Sequence, residues 1–359
     1  MARNGLRLAE PHVERVRTIA DGPSAVSADD EIAISWRRSA KAHGVDPASA
    51  KPPRVLTTTE LKDYREPLAK LIVDAGPEMD RLYKVVRRAR YSILLCDAQG
   101  VAVDHRGDPT EVDQFRYWGI WLGGVWSEGV EGTNGIGTCI AEERAITVHQ
   151  SQHFRARHIG LSCSGAPIFG GDGSLAAILD VSSFDPQLSE QSHALTGALT
   201  EASARAIEER FFREQFRGQW VIALAPPDGI APPMLIAVDP DQIIVGADRS
   251  ARTALLRSDN LEVSVGLWSV FERKHLRLFH SSPDDRFAEL TPVGTAEPWP
   301  ALITGPNDAR MHRESESAAL HTRPRLDTLG EKSPQVALRH AHLKGGLRPP
   351  VLRLSLIHI

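Results

Sequence analysis

Two apolar runs near the middle of the chain, SCSGAPIF (162–169) and SLAAILDVSS (174–183), are separated only by GGDG. Each is long enough for a strand, and the glycines tolerate the positive φ of a tight reversal, so the pair predicts an antiparallel hairpin. A hairpin this apolar must pack a face against something else. Upstream, YSILLCD (91–97), the turn AQG and Val101–Asp104 predict a second hairpin, and AITVH (145–149) a further strand.

Helices flank these strands. EIAISWRR (31–38) followed by SAKAHGVDP reads as a helix stopped by Gly44 and Pro47, with Trp36 docking on the domain that follows. Thr59–Ala75, with Leu61, Leu68, Leu71 and Ile72, is a second, and Pro77 ends it or opens the next, PEMDRLYKVVRRA. Glu190–Arg217 is a long helical pattern with Leu195, Leu199, Ala202, Ala206, Ile207 and Phe211 along one side. It either packs back on the domain or serves dimerisation and signalling. The expected fold class is α+β, a mostly antiparallel sheet with flanking helices. QWVIALA (219–225) and MLIAVDPDQIIVGADRSARTALL begin a second, smaller region.

The chain holds 42 Lys and Arg against 46 Asp and Glu, a formal net charge of −4. That balance lacks the basic excess of a self-sufficient nucleic-acid binder. Cys96, Cys139 and Cys163 are odd in number and contain no CxxC pair, which argues against a disulfide framework or a zinc knuckle. They read as small buried hydrophobes. No stretch approaches 18 consecutive apolar residues and no apolar leader opens the chain, so a cytoplasmic location without a membrane partner is expected.

Trp118–Glu142, WGIWLGGVWSEGVEGTNGIGTCIAE, puts seven glycines and three tryptophans in 25 residues. Such glycines allow close backbone approach to a ligand and the tryptophans Trp118, Trp121 and Trp126 can line a pocket, unless they are turns and core residues. GTNGIG fits neither GxxxxGK[ST] nor GxGxxG, which excludes a phosphate-binding loop. His149 and His153 lie four apart and would share a face of a helix, a metal pair if Cys139 or Cys163 completed it, though pocket lining is the plainer reading. Neither cysteine sits in a nucleophile elbow, and Glu128, Glu131, Glu142 and Glu143 show no acid–base spacing. No catalytic residue, metal ligand or cofactor is therefore assigned. The candidate ligand-binding set is Trp118, Trp121, Trp126, Thr133, Asn134, Ile136, Cys139, His149, His153 and Ser164, suited to a small neutral or weakly polar metabolite.

Ser35-Trp36-Arg37-Arg38-Ser39 with Gly44-Val45-Asp46-Pro47, then Trp126-Ser127-Glu128, GTNGIGT (132–138), His153-Phe154, Ser162-Cys163 leading to Ala166-Pro167-Ile168, and Leu179-Asp180-Val181-Ser182 together resemble the acetoin-catabolism activator family of sigma-54-dependent bacterial regulators. The resemblance covers roughly residues 32–210. It implies a GAF domain enclosing a small-molecule pocket, with GTNGIGT at the pocket rim and SCSGAPI a core strand beside it. Met234–Leu256 resembles the PAS-like stretch that often follows.

The domain expectation is a helical extension and linker over 1–58, a GAF-like domain over 59–212 and a PAS-like region over 213–291. A linker over 292–325, the start of a truncated AAA+ module over 326–354 and a non-native tail over 355–359 complete it. Full-length relatives of this type contact sigma-54 RNA polymerase and DNA. This chain, lacking those modules, is expected to bind an effector and form a homodimer. The competing readings are a metal-dependent enzyme using His149 and His153, and a dimerisation or scaffold module.

Overall fold

A computed structural model describes residues 2–22, 31–225, 232–256, 265–272 and 287–306. The expectations for 307–325, 326–354 and 355–359 lie outside the described residues. Helices α1 (Ala2–Asp21) and α2 (Glu31–Arg37), the latter continued by a π turn over Arg38–Ala42, precede α3 (Thr58–Arg65) and α4 (Ala69–Val86). Thr57 caps α3 in a reciprocal box with Glu60. The helical break falls at residues 66–68, around Pro67, not at Pro77. Pro77 stays within α4, where its missing N–H costs one bond of the ladder while Leu71, Ala75, Met79 and Leu82 hold the helix on the sheet.

Five strands follow: β1 (Ser92–Asp97), β2 (Ala102–Arg106), β3 (Ile146–His149), β4 (Ser162–Phe169) and β5 (Leu175–Ser183). They form one antiparallel sheet in the order β2-β1-β5-β4-β3. Both expected hairpins are present, and Gly173 turns the second with φ +81°. Alternation along the strands divides two cores. Ile93, Leu95, Ala166, Ile168, Leu179 and Val181 face α4 and α8 (Glu190–Gln215). Leu94, Cys96, Cys163 and Ile178 face the opposite way, toward α5 (Val112–Trp118), α6 (Glu128–Glu131) and α7 (Gly135–Glu142).

The long helix α8 packs on the sheet with only part of its apolar stripe. Its buried residues are His193, Thr196, Thr200, Ser203, Ala204, Ile207 and Phe212, while Leu195 is 71% and Leu199 43% exposed. The reason lies in the sheet. The edge that α8 covers carries Thr147 and Ser164, so His193 meets a polar partner there, while Thr196 and Thr200 bond back to carbonyls of their own helix.

Beyond α8, β6 (Trp220–Leu224), β7 (Met234–Val238), β8 (Ile243–Ala247), β9 (Val265–Gly266), β10 (Phe287–Leu290) and β11 (Trp299–Thr304) build a second antiparallel sheet in the order β10-β11-β6-β7-β8-β9. This is the α+β, PAS-like region. Its end differs from the expected boundary at 291. The supposed linker holds β11, an interior strand between β10 and β6 whose Ala301 and Ile303 enter the core. Pro300 and Pro292 disguised a strand that only its neighbours make visible.

Candidate functional site

The segment from Trp118 to Glu142 folds as a lid over the sheet face opposite α8. Asn134 organises it. Its Oδ1 accepts from the N–H groups of Ile136 (3.0 Å) and Gly137 (2.9 Å), capping α7, and its Nδ2 donates to the carbonyls of Trp126 and Gly132 at 2.8 Å each. All four bonding capacities of the amide are thus used inside the protein. Thr133 Oγ1 lies 2.6 Å from Ser35 Oγ, buried with it. The two polar residues expected at a pocket rim therefore hold the lid together.

The lid meets the sheet glycine to glycine. A Cβ on Gly165 of β4 would lie 2.2 Å from the Gly135 carbonyl oxygen, and one on Gly135 would lie 2.8 Å from Cys163 Cβ and 3.0 Å from Asp180 Oδ1. The GTNGIG glycines serve backbone contact, with strand β4 where a ligand was expected.

Beneath this contact the sheet carries Asp180 and Ser182 of β5 and Cys163 of β4. Asp180 is wholly buried, Ser182 Oγ donates to its Oδ2 at 2.5 Å, and its Oδ1 has no hydrogen-bond partner. Burial drives its carboxyl up to about 7. Cys163 Sγ lies 3.4 Å from His153 Nε2, and burial pushes the thiols of Cys163 and Cys139 well up, leaving both protonated. Burial also holds His153 down at about 3, so it stays neutral.

Strand register places the rim. Leu94 pairs with His105 on one side and Asp180 on the other, so these three stand in one row, spanning two strand spacings or about 10 Å. His105 meets Trp121 at a tilt of 51° (4.4 Å between centroids) and Phe115 at 5.6 Å, while Phe115 meets Phe184 at 5.4 Å. Arg116 sits over Trp121 at 5.2 Å. His105 Nε2 has no hydrogen-bond partner, and burial lowers this imidazole to about 4. Trp118 and Trp121 are half-buried against the same core, whereas Trp126 is interior and donates to the Gly119 carbonyl at 3.0 Å.

The ten expected ligand residues do not line one cavity. Trp118, Trp121, Trp126, Ile136, Cys139 and His153 belong to the lid side. His149 and Ser164 are on the other face: His149 Nδ1 lies 2.8 Å from Ser162 Oγ, and Ser164 Oγ lies 3.2 Å from His193 Nε2 under α8. His149 closes a strand and residues 150–152 form a 3-10 turn, so the helical spacing that would pair His149 with His153 does not exist. Among the described residues, no three His, Cys, Asp or Glu side chains converge as a metal site. The sequence brought Asp180 and Ser182 into the family resemblance but did not assign them, or His105, Phe115 and Phe184, to the site. The available signal was Asp180, an acid inside the apolar run LAAILDVSS.

The GAF domain family model matches residues 77–207, which run from α4 through the lid to α8. The chain is 35% identical over 254 residues to the acetoin catabolism regulatory protein of Cupriavidus necator, covering 68% of this chain and 38% of that one. This is a GAF domain of the acetoin-regulator family. The acetoin dehydrogenase operon transcriptional activator AcoR of Bacillus subtilis is 32% identical over 151 residues, 42% of this chain and 25% of AcoR. The chain thus spans well under half the length of these two relatives. Among solved structures, the E. coli DhaR(N)–DhaL complex aligns with a TM-score of 0.46 at 13% identity, over 77% of this chain and 99% of that one. The GAF domain here is homologous to the regulatory portions of transcriptional activators, and no described helix is long and apolar enough to cross a membrane.

Proposed function

We propose that this GAF domain receives a small, weakly polar metabolite on its lid face and passes that signal to the transcription machinery of a catabolic regulator. The observation that carries the reading is Asp180. A buried carboxyl raised to about 7, with one oxygen unpartnered and apolar side chains beside it, donates to a carbonyl or hydroxyl oxygen when it holds its proton. Ser182 orients it and the Trp121–His105–Phe115 rim supplies apolar walls. Of the expected ligand residues, Trp118, Trp121, Ile136, Cys139 and His153 remain in this proposal.

A hydroxy-ketone, diol or aldehyde of a few carbons fits this chemistry. The test is tryptophan fluorescence and thermal melting of the full chain against a panel of such compounds, with alkanols of equal size as controls. A ligand at 100 times its Kd should stabilise the fold by about 2.7 kcal/mol. Trp121→Ala and Asp180→Ala should each weaken binding about tenfold. A panel without a binder, or a binder indifferent to both substitutions, would refute the reading.

The chain acts in the cytoplasm as a homodimer on this proposal. Leu195, Leu199, Ala202 and Ala206 repeat at 4-3-4 spacing on the exposed side of α8, the seam of a two-helix contact. Contact with sigma-54 RNA polymerase and DNA falls to modules of the kind the longer relatives carry.

A further inference from the structure

Helix α2 and its π turn reach across the lid and carry its most strongly bonded polar group. Glu128, at the start of α6, is buried and receives three hydrogen bonds from this segment. Arg38 Nε donates to its Oε2 at 2.6 Å, Arg38 Nη2 to its Oε1 at 2.9 Å, and Ser35 Oγ to its Oε1 at 2.6 Å. Arg38 Nη1 donates to Glu142 at the far end of α7 at 2.8 Å, so one guanidinium spans both lid helices. Ser35 Oγ also lies 2.6 Å from Thr133 Oγ1 and 3.2 Å from Thr138 Oγ1.

The same segment holds the histidine loop. Trp36, 1% exposed, donates through Nε1 to the Gln152 carbonyl at 2.8 Å and packs against Phe154, whose N–H donates to the Thr133 carbonyl. The lid meets the sheet through the glycine approach of Gly135 to Gly165, through Trp126, Ile136 and Cys139 in the core they share with Leu94, Cys163 and Ile178, and through backbone hydrogen bonds to Gly100 and Ala102. Its contact with the sheet is thus mainly apolar and backbone, and its charged side-chain fastening comes from the N-terminal segment.

We propose that α2 is a latch: the Ser35–Arg38 grip on Glu128 and Glu142 keeps the lid closed over Asp180, and release of that grip opens the route to the lid face. The proposal rests on the reading of that face as the ligand site. It couples the position of the N-terminal helices to ligand entry, because a segment that moves α2 moves the lid.

Amide hydrogen exchange on the full chain tests it without any ligand. In Arg38→Met and in Ser35→Ala, the protected amides of α7 should exchange about 10- to 100-fold faster, as expected for losing charge-assisted bonds to a buried carboxylate. Amides of β1 and β5 should keep their wild-type rates. Arg90→Met, which loses an ion pair to Glu111 elsewhere on the domain, is the control. Should Arg38→Met fail to fold, Glu142→Ala removes only the outer bond and should accelerate the same amides by a smaller factor. Unchanged α7 exchange, or equal acceleration of α7 and the sheet, overturns the latch. A binder found by the metabolite panel with α7 exchange unaltered sinks the latch alone; accelerated α7 exchange with no binder sinks the ligand reading alone.

Discussion

Replacing Gly165 by alanine puts the lid contact under direct strain. The added Cβ would stand 2.2 Å from the Gly135 carbonyl oxygen and 3.2 Å from Cys139 Cβ. An ordinary carbon–oxygen contact needs about 1 Å more, so the start of α7 must lift by that amount or β4 must bow. Overpacking of this kind costs about 1–3 kcal/mol, with more where backbone blocks the relaxation. Lower entropy of the unfolded chain returns about 0.5–1 kcal/mol. The net loss is about 2 kcal/mol, which lowers the melting temperature by roughly 4–8 °C for a domain of this size. The matched control is Gly218→Ala, since a Cβ there meets nothing within 4 Å and its φ is not positive. Differential scanning calorimetry of the two variants decides the matter. If Gly165→Ala melts with the control, the close approach of lid and sheet does not exist and the site built on it falls.

The remaining predictions concern charge, capping and assembly. Asp180 has its carboxyl raised to about 7 in the fold, so the folded state keeps a proton the unfolded chain releases, and stability falls as pH rises from about 4 to 7. Asp180→Asn should remove that slope in urea titrations, leaving stability unchanged near pH 4 and raising it by about 4 kcal/mol above pH 7; an equal effect at both pH values would contradict a buried acid of raised pKa. Asn134→Ala should cost about 2–4 kcal/mol by losing a helix cap and two donor bonds, measured by denaturant unfolding, and Asn134→Asp should not rescue it, because the carboxylate cannot donate to Trp126 and Gly132. Leu199→Arg should yield a monomer in analytical ultracentrifugation with a melting temperature near wild type, because the side chain is exposed within the chain; a dimer that persists places the seam elsewhere.

The strand runs 92–97, 162–169 and 175–183 were legible in the sequence because alternation and glycine turns are local properties of the chain. So were the reach of α8 and the unusual character of Trp118–Glu142. The α+β sheet and the strands of a second region follow from the same local signals, and the PAS-like character of that region from the family resemblance. What the sequence could not carry is which side of an element faces which neighbour. The apolar stripe of α8 left open whether it packs on the domain or serves a partner; Ser164 of β4, distant in the chain, receives His193, while Leu195 and Leu199 stay exposed. Glu128 and Glu142 show no spacing suited to chemistry until Arg38, 90 and 104 residues away, binds both. His149 and His153 separate, and Asp180 meets Gly135, for the same reason: burial, register and partnership are set by contacts between remote segments, which only the tertiary structure brings together.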